Sequence, residues 1–209
     1  MTAAGPPVVI GVGEDFRHDD GVGPAVVAEL RRLAALDVLP PDTRLSVCFG
    51  EPAALIELWR DARLAIVVDA AAASDEGDGD GDGTEAKLTA GDVVRWEVGA
   101  DDHRGRPAAP SPDPPPTIGP GPAATHGLGP GAAIALARIL DRLPARLVLV
   151  AVVGADFSPG PGLSEPVAQA VRRVARDIAR ELGRESLSAL SDEDLLSWSG
   201  SGSRPTLEP

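Results

Sequence analysis

The stretch VVIGVGEDFRHDDGVGP, residues 8–24, joins an apolar run, a loop of glycines and acids, and the start of a helical pattern. The apolar run at residues 8–12 is typical of a short buried β-strand. From residue 21 to residue 36 the apolar positions recur at helical spacing. A strand that leads through a polar loop into a helix is the building unit of parallel α/β sheets, so this stretch predicts that class of fold.

The same alternation continues along the chain. Apolar runs predict further strands at residues 43–49, 64–70, 92–98 and 146–154, with the 92–98 run near a sheet edge. Helical patterns cover residues 52–62, 127–140 and 163–183. Ser164 is a plausible N-cap of the last helix and Gly183 its C-cap. We predict a three-layer α/β/α domain, with helices on both faces of a mostly parallel, roughly five-stranded twisted sheet.

Two inserts and a tail interrupt this pattern. Residues 74–90 are rich in acid and glycine, and residues 99–124 are rich in proline and glycine. The sequence predicts one domain at residues 1–183 with these two inserts flexible, and a disordered acidic, Ser- and Gly-rich tail at residues 184–209.

Composition excludes several classes of function. The formal net charge of −13 disfavours binding to nucleic acid or to an anionic membrane, because both partners need a basic face. The single cysteine, Cys48, allows no internal disulfide and lies in a strand pattern, where a core position is expected. No signal peptide and no membrane-spanning stretch is present, so a cytoplasmic protein is expected.

The first loop is a poor match to a dinucleotide-binding fingerprint. Gly11 and Gly13 fit the motif, but Phe16 occupies the third glycine position. The tandem acids Asp19 and Asp20 would also repel a pyrophosphate at the start of the helix. One of these acids could cap the helix, which is worth about 1 kcal/mol, but capping requires only one.

Two further residues belong to the same predicted edge of the sheet. Asp69 ends a continuous apolar strand, and His126 lies where a helical pattern begins. Ligands of parallel α/β sheets gather at the carboxyl ends of the strands. Together with Asp20 these residues offer two carboxylates and one imidazole, a donor set that suits zinc, nickel or a neighbouring divalent ion. Each residue alone could instead cap or hydrogen-bond a turn.

Four motifs in fixed order resemble one known family. They are GVGEDFRHDDGVG after the first strand, AIVVDAA, THGLG before a helix, and LVLVAVVGADFSPGPGLSEPV into the last helix. This pattern resembles the hydrogenase maturation proteases, which remove the C-terminal extension of the large subunit of nickel–iron hydrogenases. The resemblance covers most of residues 8–182 outside the inserts. It implies an endopeptidase whose partner is a hydrogenase large-subunit precursor.

The resemblance also implies residue roles. Asp20, Asp69 and His126 match the positions that engage nickel already installed in the precursor, with zinc or another divalent ion as a surrogate. Asp19 would cap the helix or orient Asp20. Four glycines of the loops after the first and second strands would let the backbone approach the substrate. They are Gly11, Gly13, Gly21 and Gly50.

Two departures from the family pattern stand beside the site. Glu14 replaces the usual asparagine, and Glu51 follows Gly50 in a loop that is often Gly-Gly-Thr. A monomer is expected. The alternative function is a non-enzymatic, metal-dependent checkpoint protein that binds the precursor without cutting it, and a weaker one is a nucleotide-binding α/β module.

Overall fold

Strands and helices alternate along the part of the chain that the structure describes. The structure is a computed structural model, and it describes residues 5–72, 88–99 and 129–188. The strands are β1 (Val8–Val12), β2 (Arg44–Cys48), β3 (Ala65–Ala72), β4 (Val93–Gly99) and β5 (Arg146–Gly154). The helices are α1 (Val22–Ala34), α2 (Pro52–Trp59), α3 (Gly129–Ile139) and α4 (Glu165–Ser188), and a short 3₁₀ turn covers His18–Gly21.

The described strands form one sheet in the order β2-β1-β3-β5-β4. β1 pairs in parallel with β2 and β3, and β3 pairs in parallel with β5. β4 is antiparallel to β5 and lies at the edge, as the sequence predicts for residues 92–98. The prediction of a mostly parallel, five-stranded sheet is therefore confirmed.

Helices cover both faces of the sheet. On one face α1 and α4 pack against each other and the sheet, and Leu30 and Ile178 are fully buried there. On the other face α2 and α3 pack together around Trp59, whose indole N–H donates to the carbonyl of Arg142 at 3.1 Å. This arrangement confirms the three-layer prediction. Cys48 packs against the α2–α3 side of the core, as predicted for it.

The end of α4 differs from the prediction. The helix continues past Gly183 to Ser188, so Gly183 is not its C-cap. A C-cap glycine needs a left-handed backbone, and Gly183 does not have a positive φ. Residues 184–188 of the predicted tail are therefore helical. Most of both predicted inserts and the rest of the tail lie outside the described residues.

In the turn from β1 into α1, main-chain atoms pack directly against other main-chain atoms, with no room for a side chain between them. A Cβ added to Gly23 would lie 2.2 Å from the carbonyl oxygen of Val12 and 2.7 Å from that of Val68. A Cβ on Gly11 would lie 2.3 Å from the carbonyl oxygen of Gly23. These contacts fix the first turn of α1 at the carboxyl end of β1 and β3.

We expect Gly23→Ala to lower the free energy of unfolding by about 3 kcal/mol or more, because the methyl group would overlap main-chain atoms that cannot move independently. Urea denaturation of both variants measures the effect. Gly183→Ala is the matched control, since nothing lies within 4 Å of its added Cβ. That helical position should gain about 0.5–1 kcal/mol. Equal changes for the two variants would contradict the packing.

Candidate functional site

Asp20 and Asp69 come together at the carboxyl edge of the sheet. Asp20 belongs to the 3₁₀ turn between β1 and α1. Asp69 is the first residue of β3 beyond its pairing with β1, which ends at the Gly11–Val68 pair. The two carboxylates lie close enough that the negative charge of Asp20 raises the pKa of Asp69. The structure thus brings together two of the three predicted site residues.

Asp69 has an unusual protonation equilibrium. Burial raises the pKa of its carboxyl to about 7, and the charge of Asp20 adds to this effect. The main-chain N–H of Ala70, which donates to Asp69 Oδ1 at 2.9 Å, opposes it. A carboxylate that is costly to ionise, within a central strand and just past its pairing with β1, is a candidate functional group.

Asp20 is held by the loop that precedes it. Its Oδ2 accepts the main-chain N–H of Glu14 at 2.8 Å. Burial raises the pKa of Asp20, the Glu14 N–H and the charge of Arg17 lower it, and the Glu14 carboxylate raises it. The main chain of residue 14 therefore orients Asp20, while its acidic side chain adds negative potential beside it.

Asp19 has a role that the sequence did not predict. It is 0% exposed, and its carboxylate accepts the N–H groups of Ala155, Asp156 and Ser164 and the hydroxyl of Ser164, at 2.7–3.0 Å. Burial alone raises its pKa, but these hydrogen bonds outweigh burial and lower the pKa below its usual value. The predicted capping of α1 is wrong, because α1 has no side-chain cap and the Asp19 oxygens bond instead to the segment after β5. That Asp19 orients Asp20 stays a prediction.

Main-chain hydrogen bonds also join the loop that carries Asp19 to the segment after β5. The N–H of His18 donates to the carbonyl of Gly160 at 2.9 Å, and the N–H of Gly160 donates to the carbonyl of Phe16 at 2.8 Å. The N–H of Asp19 donates to the carbonyl of Asp156 at 3.0 Å. Residues 13–21 and 154–164 are therefore joined by hydrogen bonds into one unit, here called the loop clamp. The glycines and prolines of residues 158–163 are the one sequence signal for it, because they mark a turn at the same edge.

The predicted loop glycines approach the protein's own atoms. A Cβ on Gly13, which has φ +131°, would lie 1.8 Å from the carbonyl oxygen of Asp20. Gly50, with φ +90°, lies against the side chain of Val12 and near Gly129 at the start of α3. Gly21 is less constrained, its closest neighbour being the Cα of Asp15 at 3.4 Å. Contact of these glycines and of Gly11 with a substrate stays a prediction.

Two of the three predicted metal ligands, Asp20 and Asp69, lie within the described residues. One oxygen of Asp20 and one of Asp69 each accept a main-chain N–H, and among the described hydrogen bonds neither second oxygen is used. Within residues 5–72, 88–99 and 129–188, no three His, Cys, Asp or Glu side chains form a group that could hold a metal ion. His126, the third predicted ligand, lies outside the described residues.

Cys48 is a poor nucleophile in this setting. Burial raises the pKa of its thiol, and the charges of Glu51 and Asp69 raise it further. A thiol that stays protonated at neutral pH is an inert core group.

In the part of the chain that the structure describes, no helix is both long enough and apolar enough to cross a membrane.

We expect Asp19→Asn to destabilise the protein by about 2–4 kcal/mol at pH 7, because the amide turns an NH₂ group toward donors and removes the charge that they stabilise. Because the folded-state pKa of Asp19 is lowered, its contribution is present above the unfolded value of about 3.8 and is lost as the pH falls through the folded value. Asp20→Asn is the adjacent control and should change stability little. Thermal unfolding at pH 7 and pH 3 measures both variants, and equal losses for the two would contradict the assignment.

Asp69→Asn should stabilise the protein above about pH 7, whereas Asp19→Asn should destabilise it. A folded-state pKa of about 7, against an ordinary value of 3.8, means that the folded protein binds the proton more tightly, so wild-type stability falls as the pH rises between these values. This loss of stability amounts to about 1.4 kcal/mol per unit of pKa shift, and the asparagine variant does not suffer it because an amide does not ionise. Its melting temperature should exceed that of the wild type at pH 8 and approach it at pH 4. Asp177→Asn, an exposed change on α4, controls for net charge, and a difference independent of pH would contradict the assignment.

Comparison with known proteins identifies the fold. No protein-family model matches the chain, and no curated protein matches it. A solved endopeptidase from Escherichia coli is similar with a TM-score of 0.62 and 18% identity, covering 87% of this chain and 93% of that one. The hydrogenase maturating endopeptidase HybD from E. coli is similar with a TM-score of 0.57, 18% identity and the same coverage.

An archaeal structure agrees with these two. The [NiFe] hydrogenase maturation protease HycI from Thermococcus kodakarensis is similar with a TM-score of 0.51 and 22% identity, covering 87% of this chain and 96% of that one. All three matches cover nearly the whole of the known structure and most of this chain. The chain therefore has the fold of the hydrogenase maturation endopeptidases.

Proposed function

We propose that the chain is an endopeptidase that removes the C-terminal extension of a nickel–iron hydrogenase large-subunit precursor, recognising the nickel that the precursor already holds. The observation that carries the proposal is the pair Asp20 and Asp69. In this fold the pair lies at the carboxyl edge of the sheet, with one pKa near 7 and mutual repulsion between the two charges. A divalent cation would relieve that repulsion.

In this proposal nickel arrives with the substrate. It supplies a Lewis acid beside the peptide bond to be cut. The chain supplies the two carboxylates: the Glu14 N–H orients one, and the Ala70 N–H holds the other. The loop clamp keeps the Asp20 turn fixed before the substrate arrives, which reduces the entropy lost on binding.

His126 completes the proposed ligand set as a neutral imidazole. It precedes Gly129 by three residues, and Gly129 lies beside Gly50 at the carboxyl end of β2. The described chain after His126 therefore begins at the same edge of the sheet as Asp20 and Asp69. Zinc or another divalent ion is the proposed surrogate for nickel, and the proposed setting is a monomer in the cytoplasm.

The test is cleavage of a nickel-loaded large-subunit precursor, followed by mass spectrometry of the released peptide. We expect wild-type protein to release the C-terminal extension and to leave the metal-free precursor intact. Asp20→Asn, Asp69→Asn and His126→Ala should each lower the rate by at least about 100-fold. Asp177→Asn, which changes an exposed carboxylate on α4, is the control and should cleave normally.

Two other outcomes identify the alternatives. Stable, nickel-dependent complex formation without cleavage would replace the protease by a checkpoint protein that binds the precursor. Tight nucleotide binding that survives Asp20→Ala would point to a nucleotide-binding module, and either result would contradict the proposed reaction.

A further inference from the structure

Two of the three phenylalanines of the chain are exposed at the edge that carries the site. Phe16 is 69% exposed and Phe49 is 70% exposed. The third, Phe157, lies against Gly154 inside the loop clamp. Exposed aromatic rings are costly in water and are enriched where proteins bind other proteins. Their position beside Asp20 and Asp69 therefore needs an explanation.

The main chains of Phe16 and Phe49 are attached to segments on opposite sides of the carboxylate pair. Phe49 directly follows β2, which lies on one side of β1. The main chain of Phe16 is bonded to Gly160, in the segment that follows β5 on the other side of β3. β2 and β5 are three strand spacings apart, which is about 14 Å. An extended peptide covers that distance with about four residues.

The charges around the rings restrict what can bind. Glu14 and Asp15 precede Phe16, Glu51 follows Phe49 after one residue, and all three acids are exposed. Arg17, which follows Phe16, is partly buried, and its guanidinium donates to the carbonyl of Phe157. A second copy of this acidic edge would be repelled, and so would an acidic peptide. A neutral or basic segment with apolar side chains fits both the rings and the charges.

We propose that Phe16 and Phe49 bind apolar side chains of the protein substrate on either side of the bond to be cut, in an extended, non-acidic segment. The inference rests on the proposed function, because it assigns this edge to a peptide. It adds two specificity-determining residues and a chemical class for the segment that they bind. The peptide passes over Asp20 and Asp69, with one ring holding it on each side.

The test compares Phe16→Ser, Phe49→Ser and the double variant with two matched controls. Leu36→Ser and Ile139→Ser remove side chains that are 62% and 81% exposed. Leu36 lies in the turn after the end of α1, and Ile139 is the last residue of α3, so both are far from the site edge where these helices begin. Two measurements are made with the nickel-loaded precursor: steady-state cleavage, and direct binding by titration calorimetry.

Each phenylalanine variant should raise KM and Kd by about tenfold, the loss expected for one buried aromatic contact, with kcat changed less than about twofold. The controls should match the wild type. Higher salt should not lower Kd for the wild type, whereas it would do so if the acidic rim repelled an acidic segment. Phenylalanine variants that bind and cleave like the wild type would overturn the inference and leave the proposed function standing.

Other outcomes are equally decisive. If the wild type binds the precursor without cleaving it and the phenylalanine variants lose binding, the docking inference holds and the protease proposal fails. If the wild type does not bind the precursor, both fail. A large fall in melting temperature for the phenylalanine variants would show that the rings pack against this chain itself, and loss of a dimer would assign them to a second copy. Either result would overturn the inference.

Discussion

The rest of the site depends on the hydrogen bonds that the buried Asp19 carboxylate accepts. A wholly buried charge is tolerated only when its lone pairs are used, and Ala155, Asp156 and Ser164 supply main-chain and hydroxyl donors for it. These donors come from the segment between β5 and α4, whereas Asp19 comes from the segment between β1 and α1. One carboxylate thus joins two loops that are far apart in sequence, and Asp20 is the next residue.

The tandem acids therefore divide two tasks between them. Asp19 has a lowered pKa and is fully hydrogen-bonded, so it remains ionised and structural. Asp20 and Asp69 have raised pKa values, repel each other and each retain an oxygen outside the described hydrogen bonds. Groups that are costly to ionise and incompletely bonded are typical of functional sites, whereas fully satisfied ones are typical of structural sites.

Much of the fold could be predicted from the sequence because its signals are local. The run at residues 64–68 is apolar throughout, which is typical of a central parallel strand, and the pattern at residues 92–98 predicts an edge strand. The prediction that α4 ends at Gly183 was wrong because a helix can continue through a glycine whose φ is negative. Residue type alone does not give φ. The role of Asp19 could not be predicted, since its partners come from a segment more than a hundred residues away. Local spacing therefore indicated that one acid was surplus to capping but not which task each acid performs.

In the proposed function, Asp20 and Asp69 engage a metal ion held by another protein. X-ray absorption at the nickel edge, recorded on the nickel-loaded precursor before and after this protein is added, detects such contacts. We expect new oxygen or nitrogen neighbours at about 2 Å from nickel with the wild type, and their loss with the Asp20→Asn, Asp69→Asn double variant. A nickel spectrum that does not change when the wild-type protein forms its complex would contradict the proposed function.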